Sequence, residues 1–151
     1  MFFKKKILFL AFFIFLFCFV NGCSKTILNE PVNSVLIERA KYSKLIVLDV
    51  FHNRCESCKL IEPVMKQLEE KYSQDLNVVF LKYDLSNPIT VFRSKREATL
   101  LGLEDIYKSQ RYSGVVLFIN TGTKEVVRTL IAENDIEKYL EIIDSTLNSS
   151  K

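Results

Sequence analysis

Residues 45–58 read LIVLDVFHNRCESC, in which seven mostly apolar residues precede a short polar loop and two cysteines with two residues between them. An apolar run of this length predicts a β-strand that is buried on both faces. Beyond the cysteines, apolar side chains recur at Ile61, Val64, Met65 and Leu68, which is the spacing of one face of a helix. Together these residues predict a strand, a loop and a helix that begins at the cysteine pair.

The rest of the chain continues this alternation of strands and helices. Asn134 and Glu137 predict a capping box at the start of a last helix. This order predicts an α/β fold with one domain, in which helices flank a central mixed β-sheet and a closing hairpin adds antiparallel strands. The other predicted elements are a helix over 32–42, a strand over 77–83, a helical region over 89–110 with a break at Gly102, and strands over 115–119 and 126–131.

The first 22 residues have the pattern of a secretory signal peptide rather than of a folded domain. Three lysines at positions 4–6 precede an uninterrupted apolar run over 7–20, and a small residue, Gly22, stands before Cys23. The alternative is a transmembrane anchor, but a spanning helix needs about 20 apolar residues and this run is shorter. We therefore expect residues 1–22 to be a cleaved signal.

The cleavage region, Val20 to Cys23, resembles the lipobox of bacterial lipoproteins. The resemblance implies that Cys23 becomes the lipidated first residue of the mature chain and that residues 23–31 form a tether to a domain over 32–148. It also implies a location in the cell envelope, anchored by lipid to a membrane on the extracytoplasmic side. Cys18 would leave with the signal, so that only Cys55 and Cys58 would remain as thiols.

The charge of the mature chain gives no electrostatic reason to expect a nucleic-acid partner. The full chain has 21 Lys and Arg against 18 Asp and Glu, and the basic excess equals the three lysines of the predicted signal. The domain is thus close to neutral, without the basic excess that attracts phosphate backbones or anionic surfaces. We expect a monomer that reaches its membrane through the N-terminal lipid.

The two cysteines suit redox chemistry because of their place in the predicted helix. Cys55 would lie at the helix N-terminus, where unpaired N–H groups and the helix dipole favour a thiolate. Cys58 lies one turn further in, from where it could resolve a mixed disulfide. The alternatives are a structural disulfide in a binding domain, or a metal site that includes His52. Structural zinc is bound by four ligands, whereas His52 and the two cysteines supply only three. We therefore expect no metal and no cofactor beyond the cysteine pair.

Residues 33–147 resemble the thioredoxin-like family, in particular its membrane-anchored thiol:disulfide oxidoreductases. The resemblance rests on the cysteine motif, on Asp49 six residues before Cys55, on Lys59 and Pro63 after the motif, and on Tyr107 before the third strand. It implies a thioredoxin fold in which Asp49 is a buried acid that assists proton transfer to the inner cysteine. Independently, its position inside an apolar run predicts a raised pKa for Asp49.

The chain departs from the family pattern on the face that would meet a substrate. Arg54 stands where the family usually has tryptophan, and Glu56 and Ser57 replace glycine and proline between the cysteines. Ser113, followed by Gly114, takes the place of the family's cis-proline. A cis bond before a residue other than proline costs about 2.5–4 kcal/mol, so we expect a trans bond there and an altered substrate platform.

These observations predict a thiol:disulfide oxidoreductase that exchanges disulfides with envelope proteins and with an unidentified redox partner. Cys55 would attack, Cys58 would resolve and Asp49 would handle the proton. The alternative is a redox-inactive lipoprotein that uses the same fold as a binding scaffold, with a structural disulfide between the cysteines. That alternative is suggested by Arg54, by Ser113 and by the segment 86–106, which is longer than its family counterpart and could reshape the active face.

Overall fold

The computed structural model describes residues 33–149, which fall within one compact unit, Val32–Lys151. The predicted signal, the lipidation site and the tether lie outside the described residues. Among the described residues, no helix is long and apolar enough to cross a membrane. The elements in chain order are α1 Ser34–Tyr42, β1 Leu45–Phe51, α2 Glu56–Lys71, β2 Val78–Asp84, α3 Pro88–Leu101, α4 Glu104–Ser109, β3 Val115–Asn120, β4 Val126–Ile131 and α5 Ile136–Ser149.

The four strands form one mixed sheet in the order β2-β1-β3-β4. β1 pairs with β2 in parallel, whereas β3 pairs with β1 and with β4 in antiparallel orientation. The parallel pair is joined through α2, and the antiparallel pair β3–β4 is joined by a tight turn. The predicted α/β fold, with its mixed sheet flanked by helices, is confirmed.

β1 is buried on both faces because helices cover the sheet on each side. Its residues Ile46 and Leu48 belong to an apolar cluster with side chains of α1, α3 and α4. Leu45 and Val47 point the other way and belong to a second cluster, with α2 and α5. Since successive strand residues alternate between faces, a run without polar interruptions is what a strand between two helical layers requires.

α2 carries the cysteine motif at its N-terminus and continues through Pro63 to Lys71. Its far end is held from outside the helix, because the guanidinium group of Arg39 on α1 donates to the backbone carbonyls of Tyr72 and Ser73. The last carbonyls of a helix have no partner within it, so these bonds fix the end of α2 against α1. The motif therefore begins a helix that is anchored at its other end.

The structure corrects one detail of the predicted helices and confirms another. The N-terminal cap of α5 is Asp135, whose side chain accepts a hydrogen bond from the Glu137 backbone N–H at 3.1 Å, and the capping box predicted from Asn134 is wrong. The helical region over 89–110 is two helices, and the break at Gly102 is confirmed, because Gly102 adopts a left-handed conformation (φ 67°) that ends α3. Glycine adopts this conformation without steric cost.

Candidate active site

The cysteine motif lies where the carboxyl end of β1 passes into α2. Cys55 is the N-cap residue of α2, and its sulfur accepts a hydrogen bond from the Cys58 backbone N–H at 3.1 Å. The backbone N–H of Cys55 donates to the carbonyl of His52, which closes the loop before the helix. The sulfur thus takes the capping position that serine or aspartate oxygens usually fill, and it faces the free N–H groups of the first turn.

The two sulfurs differ in exposure. Cys55 is half-buried, whereas Cys58 is 1% exposed and packs beneath the helix against β1. The Cys58 Sγ lies 3.9 Å from the backbone carbonyl oxygen of Val50. Both residues are thiols in this structure. A partner protein could reach Cys55 from solvent, but it could reach Cys58 only through Cys55.

The two thiols also differ in acidity. Burial acts to raise the pKa of Cys55, but hydrogen bonds from Cys58, from the Ser113 side chain and from the Ser57 backbone outweigh it, so that the pKa is lowered. For Cys58, burial and the hydrogen bond with Cys55 raise the pKa. Hydrogen bonds to a charged form favour that form. Cys55 is therefore the better-stabilised thiolate, in the direction that the sequence predicted.

Asp49 lies inside β1 and is 4% exposed. Burial raises the pKa of Asp49 to about 6. The positive charge of Lys82, which stands opposite Asp49 in the register of β1 and β2, acts to lower this pKa but does not outweigh burial. The Lys82 ammonium group lies 4.4 Å from the centre of the Phe51 ring. The Asp49 Oδ1 atom has no hydrogen-bond partner among the described residues. The predicted burial and raised pKa are confirmed, and the role in proton transfer stays a prediction.

Ser113 and Gly114 pack against the motif from the other side. The described chain has no cis peptide bond, so the bond before Ser113 is trans, as predicted. Gly114 has a φ of 77°, and a Cβ atom built on it would lie 2.8 Å from the Ser57 Cβ and 3.3 Å from the Cys55 Sγ. Only glycine leaves room for this approach. Gly114 was predicted only as part of the substrate face, and the close approach shows why the position lacks a side chain.

The remaining predicted substrate-face residues surround the entrance to Cys55. Arg54 is exposed, and its backbone N–H donates to the Nδ1 atom of His52 at 3.0 Å. Glu56 is also exposed and forms an ion pair with Lys59 at 2.7 Å, so that the two charges largely offset each other beside the motif. Ser57 is half-buried beneath Gly114.

The long segment 86–106 touches the active face only at its start. The Ser86 hydroxyl accepts a hydrogen bond from the Asn53 backbone N–H at 2.9 Å, and Leu85 donates to the Phe51 carbonyl. The helix α3 that follows packs with α1 and α4, on the face of the sheet opposite to α2. The extra residues therefore support the loop before the motif and leave the cysteines uncovered.

Sequence reasoning missed the effect of the Ser113 side chain on the thiols, which acts to lower the pKa of both Cys55 and Cys58. It identified Ser113 only as a departure at a proline position, although a hydroxyl at that position could have suggested a hydrogen-bond donor. His52 was considered as a metal ligand with the cysteines, but within residues 33–149 no group of three or more His, Cys, Asp or Glu side chains is arranged to hold a metal ion.

Comparisons with known proteins agree with this geometry. The family model named Thioredoxin matches residues 30–95, which include both cysteines and Asp49. The chloroplast thioredoxin F1 of Arabidopsis thaliana is 48% identical over 74 residues, which cover 43% of this chain and 40% of that protein. The thioredoxin of Equus caballus is 39% identical over 64 residues, which cover 42% of this chain and 52% of that protein. The chain thus spans about half, or less, of the length of the curated relatives it matches.

Among solved structures, the solution structure of a protein from Neisseria meningitidis resembles this chain in fold. It aligns with a TM-score of 0.54 at 15% identity, over 74% of this chain and 80% of that one. At this identity the alignment speaks for the fold alone, and it extends the similarity beyond residue 95 into the C-terminal half.

Proposed function

We propose that this chain, which is similar to thioredoxins over residues 30–95, is a thiol:disulfide oxidoreductase that exchanges disulfides with proteins of the bacterial cell envelope. The observation that carries the proposal is the difference between its two thiols. Cys55 is half-buried at the helix N-terminus with a lowered pKa, and Cys58 is buried with a raised pKa. An attacking thiol must be accessible and ionised, whereas a resolving thiol must be shielded from partners other than Cys55.

The exchange proceeds in two steps. The Cys55 thiolate attacks one sulfur of a partner disulfide, and the other partner sulfur leaves as a thiolate that takes up a proton. Cys58 then loses its proton and attacks the Cys55 sulfur, which breaks the bond between the proteins and forms the Cys55–Cys58 disulfide. Two electrons pass from this chain to the partner, and the reverse sequence oxidises the partner instead.

Asp49 is the candidate acceptor for the Cys58 proton. A carboxyl group with a pKa near 6 is close to the pH at which it would work, which suits a general base better than an ordinary aspartate does. Its side chain lies on the face of β1 that α2 covers, since Val47, two residues earlier, packs against α2. In this proposal Asp49 acts through a short rearrangement or a bridging water.

The location rests on the lipobox resemblance at Cys23. A lipid there would hold the domain at the extracytoplasmic side of a membrane, where disulfides persist. Cys23 stands ten residues before the first described residue, Asn33. Two partners are then required: an envelope protein with thiols or a disulfide, and a redox partner that restores this chain.

Trapping of the mixed disulfide tests the proposal. With Cys58→Ser the resolving thiol is gone, so that the adduct on Cys55 should persist and be recoverable from cells by non-reducing electrophoresis after acid quenching. The matched control is Cys55→Ser, which keeps one thiol but leaves it buried and without the helix N-terminal amides. We expect adducts with envelope proteins in the first variant and little in the second.

The outcome separates an enzyme from a binding scaffold. If the cysteines form only a structural disulfide, Cys58→Ser and Cys55→Ser should not differ in the amount of envelope protein that they capture. If neither variant captures an envelope protein, and the cysteine pair of the native wild-type chain resists reduction by dithiothreitol, the exchange function is wrong. The fold then serves as a binding scaffold with a structural disulfide.

A further inference from the structure

Two arginines lie near Cys55 without an ionic partner. Arg54 directly precedes Cys55, and Arg111 lies in the loop between α4 and β3, three residues before Gly114. Both arginines are exposed. Among residues 33–149, neither guanidinium group forms a salt bridge or a hydrogen bond. Their charges are therefore available to a molecule that approaches Cys55.

The backbone determines how close each arginine comes to the Cys55 sulfur. The Arg54 N–H donates to the Nδ1 atom of His52 at 3.0 Å, which holds Arg54 in the loop before α2. On the other loop, a Cβ atom built on Gly114 would lie 3.3 Å from the Cys55 sulfur. Consecutive Cα atoms are about 3.8 Å apart, so the Arg111 Cα lies within roughly 11 Å of the Gly114 Cα. Two separate segments therefore bring a positive charge to the surroundings of one sulfur.

The neighbouring acids do not cancel these two charges. Glu56 is engaged in its ion pair with Lys59. At the start of α5, Glu133 forms an ion pair at 2.5 Å, and Asp135 caps the helix. Asp84 ends β2, which lies on the opposite side of β1 from β3 and its preceding loop. The two arginines therefore leave the face around the cysteine motif positive.

Large apolar side chains are exposed on the same face. Tyr112, the neighbour of Arg111, is 79% exposed. Ile131, which pairs with Val115 at the start of β3, is 72% exposed. A small anion would leave these side chains in water, whereas a protein segment could cover them. Apolar and positive side chains around a reactive thiol thus fit a protein segment that carries acidic residues.

We propose that Arg54 and Arg111 are specificity-determining residues, which select partner proteins with acidic residues beside the reacting cysteine. The proposal rests on the proposed function and names the class of partner that disulfide exchange would prefer. Opposite charges attract the partner before contact and so raise the rate at which it reaches Cys55. The chemistry is unchanged: the reduced chain passes two electrons and two protons to the partner disulfide and forms the Cys55–Cys58 disulfide.

The test compares three disulfide-linked peptide dimers with blocked termini, whose sequences are Glu-Cys-Glu, Gln-Cys-Gln and Lys-Cys-Lys. The reduced full-length chain, purified in a non-ionic detergent, is mixed with each dimer and quenched with acid at intervals. Mass spectrometry after digestion measures the formation of the Cys55–Cys58 disulfide. Each rate is divided by the rate of the same dimer with dithiothreitol, because the charge of a peptide alters the reactivity of its own sulfurs.

In wild type, the acidic dimer should react about fivefold faster than the neutral dimer, and the basic dimer more slowly than either. High salt should reduce this preference, since it screens exposed charges. Without the arginine charges, in Arg54→Gln with Arg111→Gln, the ratio of the acidic to the neutral rate should fall to about one. Arg54→Glu with Arg111→Glu should reverse the preference, so that the basic dimer reacts fastest.

The matched control is Lys44→Gln with Lys124→Gln, which removes the same amount of positive charge. Lys44 directly precedes β1, and Lys124 lies in the turn after β3, so both are at the end of β1 that is opposite to the cysteine motif. A strand of this length places them about 20 Å away. The control should therefore keep the wild-type preference, and circular dichroism verifies that each variant is folded.

An acidic-to-neutral ratio that is the same in wild type and in Arg54→Gln with Arg111→Gln overturns the proposal. An equal fall of this ratio in the lysine control also overturns it, because the effect would then belong to net charge. Equal rates of wild type with all three dimers would show that the preference is absent while disulfide exchange remains. If no dimer oxidises the cysteine pair, the exchange function itself is wrong and the preference fails with it.

Discussion

Asp49 is an acid in a strand whose other six residues are apolar, and its raised pKa shows that this position disfavours the charged carboxylate. Burial raises the pKa from 3.8 to about 6, because the charged form loses its hydration, and the charge of Lys82 offsets only part of the loss. The unfolded chain has no such burial. Between these two pKa values the folded chain holds a proton that the unfolded chain has released, so stability falls as the pH rises through this range.

Asp49→Asn should remove this dependence on pH. Above pH 6 the variant should be more stable than wild type by up to about 3 kcal/mol, since a difference of one pKa unit corresponds to about 1.4 kcal/mol. Below about pH 4 the two chains should be equally stable, because both then carry a neutral side chain. Urea unfolding at pH 4 and pH 7.5 measures the difference. A variant that is less stable than wild type at pH 7.5 would show that Lys82 stabilises the Asp49 carboxylate by more than burial disfavours it, so that the pKa of Asp49 is not raised.

Gly114 and Gly102 both adopt positive φ angles, and they differ only in their surroundings. A Cβ on Gly114 would meet Ser57 at 2.8 Å, whereas a Cβ on Gly102 would meet nothing within 4 Å. Gly102→Ala should therefore cost only the left-handed strain, about 1–2 kcal/mol. Gly114→Ala should cost about 2–5 kcal/mol, because overpacking adds to that strain. It should also displace the loop from Cys55 and slow alkylation. Equal losses of stability in the two variants would contradict the close approach of Gly114 to Ser57 and Cys55.

The sequence was sufficient to find the residues whose roles follow from position along the chain. Cys55 and Cys58 could be ranked because one begins a helix and the other lies a turn further in. Asp49 could be assigned a raised pKa because its neighbours are apolar. The close approach of Gly114 to the Cys55 sulfur could not be predicted, because it joins segments more than fifty residues apart. It depends on the register of β3 against β1, which the sequence does not specify to within one residue.

Among the elements, β1 was predicted with its observed bounds, whereas the start of α5 was misplaced by one residue. A continuous apolar run ends sharply at both sides, but two adjacent cap formers, Asn134 and Asp135, leave the first helical residue ambiguous. In the structure the preceding Glu133 side chain accepts from the backbone N–H groups of Asn134 and Asp135. This local turn carries the chain past Asn134 and leaves Asp135 as the cap.

The two residues can be compared directly. Asp135→Ala removes the acceptor for the Glu137 N–H and a negative charge at the helix N-terminus, so it should lower the free energy of unfolding by about 1 kcal/mol. Asn134→Ala should have an effect within about 0.5 kcal/mol, since Asn134 is exposed and does not cap the helix. Thermal unfolding of both variants measures the difference. A larger loss of unfolding free energy in Asn134→Ala than in Asp135→Ala would show that Asn134 caps the helix, as the sequence predicted.

On the largest scale, the sheet order follows from the chain order of the elements. A strand, a helix and a second parallel strand usually form a right-handed crossover, and the following hairpin joins the sheet on the side of β1 away from β2. That arrangement brings the end of β1, the start of α2 and the loop before β3 together, where Gly114 lies against Cys55. The site therefore exists because of the topology, even though its residues come from distant segments.

The N-terminal region, which lies outside the described residues, determines where this site would act. If Cys23 is the lipidated residue, Cys23→Ala should abolish incorporation of labelled palmitate and leave the signal uncut or cut at another position. Cys18→Ala is the matched control, because that cysteine lies inside the predicted signal and should leave labelling unchanged. Loss of the lipid should also reduce capture of envelope partners by Cys58→Ser in the double variant, since an unanchored domain is diluted away from the membrane surface. Labelling that persists in Cys23→Ala would show that the anchor, and with it the proposed location, has been assigned to the wrong residue.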